Sequence, residues 1–264
     1  MPTIRANGIE IYYTEQGRGR PVVMMAGVGQ WHAFWWRNVP ALSEHFRVFT
    51  FDNRGVGDSD KPDIPYDVAM QVGDLLGLID GLGLDRPHLV GHSMGAGVSL
   101  ELAMSRPERV DRLVFMSGIY PGPDYVPFTP EAAKLLFDPS GEPLERFNRG
   151  VQAATASGFA ERDDEAVQKM LWLRTHSQQT PALWQRQSRS GLPYVTEDHL
   201  RPIPNPILLL YGSEDGVAPP ENGRRIAAKM PNARLALVPD AGHWLPVEQP
   251  AEVNRRIIEF LRPA

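Results

Sequence analysis

A mostly parallel β-sheet covered by helices on both faces is the fold class this sequence predicts, and three observations predict it. Short apolar runs recur along the chain, stretches with helical periodicity separate them, and the runs are continuous rather than alternating, as strands are when helices lie above and below. The length, 264 residues, suits one large domain or a core with an insertion.

The elements follow in order. The N-terminal MPTIRANGIEIYYTEQG reads as two short strands about an Asn7-Gly8 turn, a pair that readily takes the positive φ angles of a tight hairpin. Pro21–Ala26, Arg47–Phe51, His88–Gly91, Arg112–Met116, Pro206–Tyr211 and Arg234–Val238 read as buried strands. Trp36–Glu44, Tyr66–Leu82, Met94–Ser105, Glu221–Met230 and Ala251–Leu261 read as the helices between and after them. From about Ile119 to Asn205 no strand is expected, only proline-rich turns and amphipathic pieces such as EAAKLLF, ERFNRGVQAAT and DEAVQKMLWLRT. A structureless loop of that length does not suit a compact domain. Residues 119–205 are therefore expected to form a helical lid inserted into a core made of 1–118 and 206–264.

Composition removes several function classes. A formal net charge of −5 with no basic block argues against a nucleic-acid surface and a polybasic membrane anchor, both of which need clustered Lys and Arg. The absence of cysteine removes disulfides, thiolate nucleophiles and cysteine metal ligands together. No signal-peptide pattern opens the chain and no apolar run has transmembrane length, so a cytoplasmic location is the expectation.

In HLVGHSMGAGVSLELA, His88 to Ala103, a serine stands between two glycines where an apolar run gives way to a small-residue helix. Ser93 admits two readings. Serine is a favoured N-cap, its hydroxyl accepting from a free N–H of the first helical turn. A sharp strand-to-helix turn would instead lift the hydroxyl above the carboxyl edge of the sheet, with Gly91 and Gly95 leaving room for the tight backbone. A bare hydroxyl is a weak nucleophile and needs a base, which itself needs an orienting acid. Both can come from loops after later strands: GSEDGVAPP offers Glu214 and Asp215, and AGHWLPVEQP offers His243. Position alone leaves the two carboxylates unresolved.

These segments, GHSMG, GSEDGVAPP and DAGHWLPVEQP, together with FDNRGVGDSD after an earlier strand, resemble the α/β-hydrolase fold family over nearly the whole chain. The resemblance implies that fold, with Ser93 as nucleophile, His243 as general base and Asp215 as orienting acid. It implies an oxyanion hole made by the backbone N–H of Met94 and an N–H from the loop AGVGQ, where Val28 takes the donor position and Ala26 replaces the usual histidine. A serine at the turn separates the chain from the haloalkane dehalogenases and epoxide hydrolases of the same fold, which place an aspartate there.

Other residues carry weaker signals. His92 is read as a structural neighbour, since a sharp turn directs it away from Ser93. His32, His45, His88, His176 and His199 lack a strand-end setting. No metal-ligand spacing, complete dinucleotide fingerprint or phosphate loop is present, so no cofactor is expected. Trp31, in WHAFWW, is a pocket candidate, while the likeness places Trp35 beneath the oxyanion loop. Trp172 and Trp184, with Tyr125, Phe128, Phe137 and Phe147, offer an apolar ceiling; Arg174, Arg186 and Arg189 offer a carboxylate site instead.

The expected function is cofactor-free hydrolysis of a small-molecule ester or lactone, without nucleic-acid or membrane partners. The resemblance extends to enol-lactonases, carbon–carbon bond hydrolases of ring-cleavage products and cofactor-free haloperoxidases or perhydrolases. A non-enzymatic small-molecule receptor on this fold is the alternative of a different class.

Overall fold

The structure, a computed structural model, describes residues 2–119, 122–190 and 200–262. The opening hairpin pairs β1 (Thr3–Ala6) with β2 (Ile9–Gly17) through a turn in which Asn7 and Gly8 have φ of 48° and 83°. Then come β3 (Pro21–Met25), β4 (Arg47–Phe51), β5 (His88–His92), β6 (Leu113–Met116), β7 (Ile207–Gly212) and β8 (Ala233–Val238). Among the described residues they form one eight-stranded sheet, ordered β1-β2-β4-β3-β5-β6-β7-β8. β2 runs antiparallel to β4, and every pairing from β4 to β8 is parallel.

Alternate residues of the continuous strands feed two separate cores, as the pleat requires. Val23, Met25, Phe49, Leu89, Leu113, Phe115, Ile207 and Leu209 pack with α2 (Val68–Gly81), α3 (Met94–Ser105) and α9 (Glu221–Lys229). Val22, Met24, Val48, Val90, Val114, Met116, Leu208 and Leu210 pack with α1 (Val39–Ser43), α10 (Leu245–Glu248) and α11 (Pro250–Leu261).

The helix expected over Trp36–Glu44 is instead a 3₁₀ turn, His32–Trp35, followed by the short α1. Pro40 is the cause: lacking an N–H, it is tolerated only in a first turn, so the helix cannot run through it from Trp36.

Between β6 and β7 the described residues hold α4 (Pro130–Phe137), α5 (Pro143–Ala154), α6 (Phe159–Arg162), α7 (Asp164–His176) and α8 (Pro181–Ser190), with no strand among them. Local chemistry starts several of these helices. Thr129 and Asp163 accept from the N–H of Ala132 and Ala166, and Glu142 with Glu145 forms a capping box. Val151, Phe159, Ala166, Met170 and Leu173 join the α1/α11 core, so the insertion shares buried surface with the sheet layer. No helix of the described residues is long and apolar enough to cross a membrane.

The sheet order also places the site. β3 lies between β4 and β5, so the chain leaves β3 in one direction and later returns on its other side. At such a reversal the loops after the two strands part and leave a crevice at the carboxyl edge. Ser93 follows β5 and Ala26 follows β3 at that crevice.

Candidate active site

Ser93 sits at φ 54° and ψ −119°, a strained left-handed position for a residue with a side chain. Flanking glycines permit the turn: a Cβ on Gly91 would stand 2.6 Å from Ala96 Cα, and one on Gly95 would stand 2.7 Å from the carbonyl carbon of Met25. The serine hydroxyl makes no cap bond to α3, so helix capping does not account for it. Its Oγ lies 3.0 Å from His243 Nε2 instead.

His243 is carried by the loop between β8 and α10, and its Nδ1 lies 3.1 and 3.2 Å from the two carboxylate oxygens of Asp215. Asp215 is buried, and its Oδ1 also accepts from the N–H groups of Val217 (2.9 Å) and Ala218 (2.7 Å). These donors fix the carboxylate's plane. With Asp215 accepting from Nδ1–H, the neutral imidazole presents the lone pair of Nε2 to the serine hydroxyl. Glu214, adjacent in sequence, is exposed and accepts from Ser157 N–H at 3.0 Å.

The loop after β3 abuts this site, a Cβ on Gly27 standing 3.0 Å from Ser93 Cβ. Gly27 N–H donates to Gln30 Oε1 (2.8 Å), Gln30 N–H to Gly27 O (3.2 Å), and Gly29 N–H to Gln187 Oε1 (2.7 Å). Among the described residues, no acceptor meets the N–H of Val28, and none meets that of Met94, which opens α3. Both N–H groups singled out from the sequence are therefore uncommitted.

Residues after β4 brace this loop. Asn53 donates to Ala26 O (3.1 Å), while buried Asp52 accepts from the His32 backbone N–H (2.7 Å) and the Asp58 N–H (2.8 Å). Trp35 is fully buried with its ring edge-on to His92, 6.4 Å between centroids. His92 points away from Ser93: its Nε2–H donates to the His243 carbonyl at 2.8 Å, and its Nδ1 lies 3.0 Å from Gln30 Oε1. Burial above all, then the nearby His243, pulls its pKa down to about 3, so the ring stays neutral. It is hydrogen-bonded to the histidine loop and packs against Gln30 of the oxyanion loop.

The pocket candidates take distinct positions. Trp31 donates from Nε1 to Leu173 O (3.1 Å) and stacks on Trp172 at 6.0 Å, and Trp172 stacks on His176 at 4.3 Å. Trp172 is 44 % exposed. Trp184 Cδ1 and Arg174 Nη1 approach Gly29, 3.1 and 3.0 Å from where its Cβ would be. Arg186 is paired with Asp63, and Phe137 is 64 % exposed. His199 lies outside the described residues. Among the described residues no group of three or more His, Asp or Glu side chains is placed to hold a metal ion.

Two functional-looking residues escaped sequence reasoning. Buried Glu248 accepts from Gly242 N–H (3.0 Å to each oxygen) and Ala156 N–H (2.7 Å), tying the insertion to the loop that carries His243. Burial pushes its carboxyl up to about 7, against the pull of those donors. Its only sequence signal was a carboxylate five residues beyond the histidine. Gln187 gave none, since its partner Gly29 lies 158 residues away.

Comparison with known proteins identifies the fold family. A family model described as alpha/beta hydrolase fold matches residues 20–250. A 2-hydroxy-6-oxo-2,4-heptadienoate hydrolase of Pseudomonas putida is 33 % identical, with 98 % of this chain and 95 % of that protein covered. The enol-lactonase of Burkholderia xenovorans superposes with a TM-score of 0.80 at 26 % identity, over 98 % of this chain and 99 % of that one. A thermophilic esterase of Thermogutta terrifontis gives 0.82 at 25 % identity, over 99 % and 98 % of the two chains.

Proposed function

Because the chain belongs to the α/β-hydrolase fold family, we propose that it hydrolyses a small carboxylic ester or lactone through an acyl-enzyme on Ser93. The observation that carries this reading is the serine hydroxyl released from helix capping and set 3.0 Å from an imidazole whose far nitrogen faces a buried carboxylate. As Ser93 Oγ bonds to the substrate carbonyl carbon, its proton passes to His243 Nε2, and Asp215 stabilises the imidazolium. The negative oxygen of the tetrahedral intermediate accepts from Val28 and Met94 N–H. Collapse breaks the bond to the alcohol oxygen, which takes the proton from His243. Water then repeats the sequence against the acyl-serine, releasing the acid and restoring the hydroxyl. No cofactor enters.

In this reading residues 119–205 form the lid over a core of 1–118 and 206–264, and Trp31, Trp172 and Trp184 shape the acyl pocket. A cytoplasmic setting belongs to the same reading, and the absence of cysteine is compatible with it.

A carbon–carbon bond hydrolase is the second reading, favoured by the 33 % identity to the heptadienoate hydrolase. A panel of p-nitrophenyl esters, lactones and a vinylogous 1,5-diketone, run with wild type and Ser93→Ala, decides. Ester or lactone turnover that vanishes in Ser93→Ala supports the proposal. Turnover of the diketone alone transfers the site to the second reading, and one slow event or none on every substrate points to a receptor.

A further inference from the structure

Helix α8 hides an unexpected polar face. Its buried positions, Leu183, Gln187 and Ser190, lie one or two turns apart on one side, where apolar residues would normally pack. Leaving a buried amide unsatisfied is costly, so a glutamine with no exposed surface requires partners. Gln187 finds two in backbone and one in a side chain: Oε1 accepts from Gly29 N–H (2.7 Å) and from Gln179 Nε2 (3.0 Å), and Nε2 donates to Arg54 O (3.3 Å). Ser190 Oγ accepts from Gln71 Nε2 at 2.5 Å, and that same nitrogen lies 3.2 Å from Met94 Sδ. One face of one insertion helix therefore reaches both segments that supply free N–H groups to the site.

The Gly29 bond matters most. Gly27–Gly29 holds two glycines, and Gly29 stands at φ 73°, so the loop has little conformational preference of its own. Gln30 pins the loop before Val28, and Gln187 pins it after Val28. From this we infer that Gln187 is a positioning residue for the oxyanion hole: by holding the Val28–Gly29 peptide it aims the Val28 N–H at the substrate oxygen, so docking of α8 completes the hole. The inference rests on Val28 being a donor in the proposed mechanism. It gives the insertion a part in bond-breaking as well as in substrate choice.

Gln187→Met keeps the length and removes the acceptor, whereas Gln187→Glu keeps an acceptor for Gly29 N–H. Removing an oxyanion donor outright costs about 10²–10³ in kcat, so a displaced donor should cost roughly 10–10². On a p-nitrophenyl ester, Gln187→Met should lose that factor in kcat with KM within about threefold, because the interaction forms only in the transition state. Affinity for a trifluoromethyl ketone, whose Ser93 adduct carries the same oxyanion, should fall in parallel, and affinity for the carboxylic acid product should hold. Gln187→Glu should retain kcat within about fivefold on the same reasoning. A folded Gln187→Met with unchanged kcat overturns the inference, as does equal weakening of ketone and product. If Gln187→Met does not fold, a folded Gln187→Glu that loses kcat as steeply overturns it too. A wild type that binds the ketone no better than the corresponding alcohol instead refutes the oxyanion reading beneath it.

Discussion

Asp215→Asn should inactivate the protein without unfolding it, and the hydrogen bonds dictate how. Asp215 Oδ1 accepts from the Val217 and Ala218 N–H groups at 2.9 and 2.7 Å, so the asparagine must keep its carbonyl oxygen there. Its NH₂ group then occupies the Oδ2 position, 3.1 Å from His243 Nδ1. An amide donor facing Nδ1 forces that nitrogen to accept, which moves the imidazole proton to Nε2. Nε2 then donates towards Ser93 Oγ instead of taking its proton, and the base is lost. The same exchange in a serine protease lowers kcat about 10⁴-fold, equivalent to roughly 5 kcal/mol of barrier. The change is nearly isosteric and keeps both backbone bonds, so melting should stay close to wild type. Glu214→Gln is the matched control. This exposed side chain accepts one bond, from Ser157, and its replacement should cost well under tenfold. Initial rates on a p-nitrophenyl ester, with circular-dichroism melting of each variant, make the comparison. Asp215→Asn within tenfold of wild type, or Glu214→Gln as the more damaging exchange, refutes the tautomer argument.

Three further outcomes follow from particular contacts. Gly95→Ala sets a Cβ 2.7 Å from the Met25 carbonyl carbon and 2.8 Å from Ala26 O, backbone that cannot yield cheaply, whereas nothing lies within 4 Å of a Cβ on Gly97. Scanning fluorimetry should therefore show a lowered Tm for Gly95→Ala, and a gain of about 0.5–1 kcal/mol for Gly97→Ala in the same helix. Glu248, an acid held near pKa 7 by burial against a reference of 4.5, binds its proton more tightly folded than unfolded, so its contribution to stability falls as pH rises from about 4.5 to 7. The Tm of Glu248→Gln minus that of wild type should accordingly climb across that window and level off above it; a difference that is flat or falls with pH contradicts the assignment. Trp184→Ala and Trp172→Ala should change relative kcat/KM across acyl chain lengths while leaving Ser93 open to covalent labelling, and an unaltered acyl-chain profile in both removes these tryptophans from the pocket.

Sequence periodicity carried the sheet because its central strands, β3 to β7, are short and buried on both faces. Arg47–Phe51 matches its expected bounds, and neighbouring strands shift by only a residue or two at an end. The Trp36–Glu44 helix failed because apolar spacing outweighed the proline that breaks it. At the site, Ser93, His243 and the Glu214–Asp215 pair stood out because each lies just beyond a recognisable strand in a glycine-containing turn, and the family resemblance alone chose Asp215 over Glu214. Glu248 and Gln187 did not. Each has a backbone N–H partner far along the chain, Ala156 for Glu248 and Gly29 for Gln187, 92 and 158 residues distant, and no local pattern encodes such a pairing. The insertion was legible as helices, but which faces they bury depends on the sheet beneath them. α8 buries two polar residues, Gln187 and Ser190, which no apolar spacing marks.

The reactivity of a single hydroxyl, that of Ser93, tests the mechanism most directly. Treating the protein with a fluorophosphonate probe and mapping the adduct by peptide mass spectrometry should find one modified residue, Ser93, with activity lost in proportion to labelling. Ser93→Ala should take up no probe and hydrolyse no ester. Labelling at another residue, or ester hydrolysis undiminished in Ser93→Ala, would contradict the mechanism.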